Sequence, residues 1–171
     1  MEEINIINTI IGGSVAILGL VLGYFIGLKK YAFEKIYEQK LIIIKNLYRQ
    51  IVDLEFKIKE YVYFIGADTQ KESIGKRIKS LNEVKNNFQK FQHEFWREEI
   101  ILNKSTVILI NNFLKKYIEI TSKLTVSNIQ QQQGDFKQSF DNWDESFKLI
   151  SSDLVGVKNK LKKEFRKTLK L

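Results

Sequence analysis

The only histidine of this 171-residue chain, His93, opens the run His93-Glu94-Phe95-Trp96-Arg97, which begins like a helical zinc-protease motif. That motif needs a second histidine four residues on, so that two imidazoles share a metal on one helix face and the glutamate serves as base. Position 97 is Arg97, and no other histidine exists to complete a site. Di-iron carboxylate bundles fail on the same ground, because they require a Glu-x-x-His pair on each of two helices. Ser151-Ser152-Asp153 has no histidine base nearby in sequence, and Gly156 stands alone rather than in a phosphate-binding loop. The absence of cysteine removes thiolate chemistry and disulfides. Glu94, Glu98 and Glu99 with Arg97 read as a solvated, ion-paired helix face. No catalytic residue, metal ligand or cofactor is expected, and the chain is not expected to be an enzyme.

Charge says more. The formal net charge is +8, and the tail Val157 to Leu171 (VKNKLKKEFRKTLKL) holds Lys158, Lys160, Lys162, Lys163, Arg166, Lys167 and Lys170 against the single Glu164. Val157, Leu161, Phe165 and Leu169 recur every four residues, so the tail is a basic amphipathic helix. Three readings stay open at this point. The tail is the end of a packed helix, whose dipole favours cations there; or it meets anionic lipid headgroups; or it meets a nucleotide or nucleic acid. Sequence-specific nucleic-acid recognition is not expected, because no known binding motif accompanies the charge.

The elements that would position these residues begin at the other end of the chain. From Ile4 to Leu28 no residue is charged. At about 1.5 Å per residue, roughly 25 helical positions cross a hydrocarbon core of about 30 Å with some tilt. A cleaved signal would need a basic start and a short apolar core, whereas this run is long and starts after Glu2 and Glu3. Lys29, Lys30 and Lys35 follow it, so the positive-inside bias puts residues 1–3 outside, a transmembrane helix over 4–28, and residues 29–171 in the cytoplasm. Gly19, Gly23 and Gly27 form a G-xxx-G-xxx-G run on one face, extended by Ala16, Gly12, Asn8 and Asn5. Small residues let membrane helices approach closely, and an amide on that face can bond across the contact. With one span per chain, the stripe predicts a homo-oligomer or a membrane partner.

Beyond the lysines the apolar period changes. Ile44, Ile51, Ile58 and Ile65 recur every seven residues with Leu47, Leu54 and Tyr61 between them, while Lys45, Arg49, Glu55 and Lys59 fill other faces. A β-branched and Leu seam of this kind suits a two-stranded coiled coil. Ile42, Ile43, Val52, Phe56, Val62 and Phe64 widen it, which suits a bundle better. One helix is therefore expected from the membrane to Gly66, with Thr69-x-x-Glu72 capping the next. The second helix carries Ile78, Leu81, Val84, Phe88, Phe91 and Phe95. Ser105 is expected to cap the third, which runs through Val107, Ile110, Phe113, Leu114, Tyr117, Ile120 and Leu124. Ser127 to Asp135 (SNIQQQQGD) is expected to be a loop, and Asp135-x-x-Gln138 opens the fourth helix. Its seam is Phe136, Phe140, Trp143, Phe147, Ile150, Leu154, Val157 and Leu161. With no proline anywhere, the fold class is all-α: a transmembrane helix continuing into an antiparallel bundle of about four helices.

The stretches GLKK, YAFEKIYEQKLIIIKNLYRQIVDLEF and FWREEIILNKSTVILINNFLKKY, with Lys29-Lys30-Tyr31 and Phe33-Glu34-Lys35 at the membrane boundary, resemble a diffuse group of bacterial proteins. These have one N-terminal membrane helix and a cytoplasmic helical bundle. The resemblance implies a place in the bacterial inner membrane and a role as a membrane effector in antiphage defence. In that role a cytoplasmic domain senses a partner or an anionic signal, and the oligomerised span perturbs the membrane. The competing expectation is a membrane-anchored scaffold or adaptor that recruits a cytoplasmic partner.

Overall fold

The computed structural model describes residues 2–65 and 73–169, with the backbone alone for residues 2–18, 64–65 and 73–74. Among the described residues the chain is all-helical, and it divides into two compact units, Met1–Ile42 and Ile43–Leu171. The first unit is the N-terminal part of helix α1 (Glu2–Glu60). Every described residue from Gly19 to Ile36 in it is exposed. The Lys35 ammonium lies 5.7 Å from the centre of the Tyr31 ring, one turn before it. Among the described residues no helix is long and apolar enough to cross a membrane. The expected span over 4–28 falls in part on residues 2–18, whose side chains lie outside the described residues.

The second unit contains the remainder of α1, ending in a π-turn (Tyr61–Ile65), then α2 (Ser73–Glu98), α3 (Lys104–Gln133), α4 (Phe136–Leu149) and α5 (Val155–Thr168). A second π-turn, Ile150–Leu154, joins α4 directly to α5. The helices run up and down: Gln50 bonds Glu94, Tyr61 bonds Asn128, Arg77 bonds Gln131, and Asn103 reaches Thr168. The Thr69 and Glu72 cap lies outside the described residues.

The seven-residue pattern predicted the core. Ile44, Leu47, Ile51, Leu54, Ile58, Tyr61 and Val62 of the first helix and its π-turn are buried, with Leu81, Val84, Phe88, Phe91 and Phe95 of α2. Phe88 stacks on Tyr117 at 4.8 Å between ring centres, and Phe91 meets Phe113 edge-on at 6.0 Å. Rings in such geometries add about 0.5–1.5 kcal/mol per pair beyond their burial. Tyr117 turns its hydroxyl onto the Leu54 carbonyl at 3.1 Å, and burial raises its phenol well above the usual range.

Four expectations are corrected. The Gln-rich segment is not a loop: α3 continues to Gln133 and turns at Gly134, which has φ +85 and the left-handed geometry that favours glycine. Gln is a good helix former, and Ser127, Asn128 and Gln131 are buried against other helices. The cap of α3 is Asn103, whose side-chain oxygen accepts from the Thr106 amide at 2.8 Å; Ser105 sits inside the first turn. The seam of α4 holds from Trp143 onward, with Trp143, Phe147 and Val157 packed on the core and Ile150, Leu154 and Leu161 buried in it, but its first two members fail: Phe136 and Phe140 are 65% and 63% exposed while Ser139 and Ser146 are buried. Finally, Ile42, Val52 and Phe56 are exposed, whereas Glu55, expected on a solvent face, is only 4% exposed. Asp135 caps α4 as predicted, accepting from the Gln138 amide at 3.1 Å.

Candidate functional site

Two surfaces carry the residues singled out above, one in each unit. In the first unit Gly19, Gly23 and Gly27 are exposed on α1, and a Cβ built on any of them meets nothing within 4 Å. The chain's own packing therefore gives no reason for glycine at these positions. Around them Leu20, Leu22, Tyr24, Phe25, Ile26 and Leu28 stand in the open, Leu20 at 76% exposure. Asn8, Gly12 and Ala16 lie outside the residues whose side chains are described.

In the second unit the basic tail is the outer part of α5. Its apolar positions are taken: Leu161 and Phe165 are buried, and Val157 and Leu169 pack on the core. The ring of Phe165 meets Tyr48 of α1 edge-on at 5.9 Å. The cations split into two sets. Lys158 turns inward and pairs with Glu55 at 2.6 Å, and Lys59 approaches the same carboxylate at 2.7 Å. Burial pushes the Glu55 carboxyl upward, but the hydrogen bonds and charges of Lys158 and Lys59 outweigh it, and the carboxyl lies below its usual 4.5. Lys160, Lys162, Lys163, Arg166 and Lys167 point outward, and among the described residues none of them joins an ion pair. The one acid among them, Glu164, accepts from Asn103 at 3.4 Å and from Ser105. Lys170 lies outside the described residues.

The residues that resembled catalytic fragments have ordinary structural partners. His93 is exposed with its ring 6.0 Å from Trp96, and among the described residues no cluster of His, Asp and Glu could hold a metal. Ser152 donates to the Lys148 carbonyl and to Asp153. Asp153 pairs with Lys116 at 3.0 Å, and the hydrogen bonds from Lys116 and Ser152 hold its carboxyl below the usual range. Glu94 accepts from Gln50 rather than pairing with Arg97. A groove of about 310 Å³ runs between α1 and α2 over a floor of Leu54 and Phe91, rimmed by Asp53, Lys57, Lys90 and Glu94. Its rim mixes both signs of charge.

One surface escaped the reading of the sequence. Phe140, Trp143 and Phe147 stack along α4 at 6.0 and 5.9 Å, and Phe147 meets Tyr63 edge-on at 5.3 Å. The four-residue spacing of these aromatics gave them to the core; Trp143 and Phe147 do pack against it, whereas Phe140 and the preceding Phe136 stand open on the flank of the bundle. No protein-family model, no curated protein and no solved structure matches this chain. The likeness to single-pass bacterial membrane proteins rests on layout alone.

Proposed function

We propose that this chain is a single-pass membrane effector of a bacterial inner membrane. The helix over 4–28 spans the bilayer with the N-terminus outside, copies associate through Asn8, Gly12, Ala16, Gly19, Gly23 and Gly27, and the cytoplasmic bundle governs that association. The observation that supports this best is the helical run from Gly19 to Leu28, apolar in composition and exposed at every position. Apolar surface left in water is unfavourable by about 25 cal/mol per Å², so lipid or another helix must cover it. Three glycines weaken a helix in water by about 1 kcal/mol each relative to alanine. Such a cost is offset where glycine lets a second backbone approach, as membrane helices do.

A second reading, a membrane-anchored scaffold, is favoured by Phe136 and Phe140, which stand exposed at the start of α4 as a surface of the sort that recruits a partner. A close glycine contact also leaves no lumen of its own. The membrane potential of bacteria separates the two readings, measured with the wild type, Gly23→Ile, and the bundle lacking the first 28 residues. Depolarisation by the wild type alone, at equal membrane abundance, supports the effector. An unchanged potential in all three removes it in favour of the scaffold.

A further inference from the structure

We propose that the outward cations of α5 dock the bundle on the anionic headgroups of the membrane that anchors the chain, an inference that rests on the anchored reading above. Lys160, Lys162, Lys163, Arg166 and Lys167 crowd onto a few turns of one helix, and among the described residues none of them has an acid partner. Unpaired like charges at this density repel one another, and a surface of opposite charge relieves the repulsion. The contrast with Lys158 is informative, because that neighbour is neutralised by Glu55 inside the bundle. Glu164, which could have neutralised the cluster, is instead engaged by Asn103 and Ser105 at the start of α3.

The packing of the apolar face decides the mode of contact. A free amphipathic helix buries its apolar side among the acyl chains. Here Leu161 and Phe165 are already closed into the protein core, so α5 meets a membrane at headgroup depth and through charge alone. Such contact is lipid-selective and fades with salt, because the potential of an anionic surface decays within a Debye length of about 10 Å at 0.1 M. Nucleic acid fits less well, since single-strand binders interleave cations with open aromatic rings for stacking. The aromatic residue of α5, Phe165, is buried.

The absence of cysteine makes a single label simple to place. Full-length protein carrying a donor dye at Asn159→Cys, an exposed site on α5, is reconstituted into vesicles containing a headgroup-labelled acceptor lipid. A second sample carries the dye at Gln133→Cys, at the opposite end of the bundle. The vesicles are phosphatidylcholine alone, or the same with a third of it replaced by phosphatidylglycerol. Energy transfer at Asn159 is expected to rise about twofold with the anionic lipid and to return to the neutral-lipid value in molar salt. The rise should also vanish in the triple variant Lys160→Glu, Lys163→Glu, Lys167→Glu, whose thermal unfolding stays that of the wild type. Transfer at Gln133 is expected to stay flat. Equal transfer at Asn159 in both lipids overturns the proposal, as does a rise that survives salt and charge reversal. Tight binding of a single-stranded oligonucleotide with no lipid-dependent transfer overturns it too, in favour of nucleic acid. Alkaline carbonate extraction of the same vesicles tests the anchor separately, for a protein released by carbonate has no span whatever its transfer shows.

Discussion

Replacing Gly23 by Ile adds four heavy side-chain atoms at a point where, within one chain, even a Cβ meets nothing within 4 Å. The fold of a single copy therefore predicts no penalty, and the helix itself gains, since glycine is a poorer helix former than isoleucine by roughly 0.5 kcal/mol. If a second helix packs on the glycine stripe, the sign reverses. The added atoms hold the two backbones apart, and a loss of roughly 15–20 close atom pairs at 0.1–0.2 kcal/mol each weakens association by about 2–3 kcal/mol. That corresponds to a dissociation constant raised by about 30- to 150-fold. Sedimentation equilibrium of the full chain in detergent measures it, and thermal unfolding of the second unit, which holds no part of the stripe, serves as the control for folding. Wild type associating no more tightly than Gly23→Ile would refute the packing face, and the glycines would then be no more than tolerated residues of a membrane helix. Loss of association accompanied by a lower unfolding midpoint would refute the separation of roles between the two units.

The bundle yields three further tests, each read by urea unfolding of the full chain. Glu55→Gln leaves Lys158 and Lys59 beside a neutral amide, and because both lysines keep some solvent the expected loss is about 2 kcal/mol. Since the folded carboxyl lies below its usual value, its stabilisation is present above about pH 4.5 and fades as pH falls through the lowered value. The gap between wild type and Glu55→Gln should close on acidification, and a gap that widens contradicts the assignment. Asn103→Ala removes both the cap on Thr106 and the hydrogen bond its side-chain amide donates to the Thr168 hydroxyl at 2.9 Å, and should cost about 1–2 kcal/mol. Ser105→Ala should cost less than half of that, and the reverse order would return the cap to Ser105. Gly156→Ala has open space for its Cβ and ordinary helical geometry, so it should stabilise by up to about 1 kcal/mol. Gly134→Ala, at φ +85, should destabilise by about 1–2 kcal/mol, and equal signs for the two would contradict the turn.

What the sequence revealed and what it hid follow from the range of each signal. The Ile and Leu seam from Ile44 to Tyr61 was legible because a helix facing one core repeats its burial at fixed spacing, and those residues are buried. Glu55 follows Leu54 on the flank of that seam, and only the arrival of α5 with Lys158 makes the flank an interior position. No local pattern encodes that arrival. The Gln-rich segment misleads because its polarity suggests a loop, although no glycine or proline occurs in it before Gly134. The seam of α4 misled only at its start, at Phe136 and Phe140, and for a geometric reason. The π-turn at Ile150–Leu154 inserts a residue into the helix, and one residue rotates the buried face by about 100°. Ile150, Leu154, Leu161 and Phe165 therefore lie on the core, while the α4 residues in core phase are Ser139 and Ser146.

Those serines bear on the glycines. Where α3 meets α4, Ser127 and Ser139 each donate a hydroxyl to the other's carbonyl, at 2.8 and 2.9 Å. Bonds of that length between side chain and facing backbone require the two helix axes to lie close, and only small residues allow it. This chain therefore places small residues at a helix crossing where the neighbour is present and the contacts are made. On α1 small residues recur as Gly19, Gly23 and Gly27, and among the described residues no neighbour lies within 4 Å of a Cβ built on any of the three. Under the proposed reading the stripe on α1 is half of an interface, of the kind that Ser127 and Ser139 complete within the bundle. A helix exposed at every described position from Gly19 to Ile36 leaves a second copy room to supply the rest.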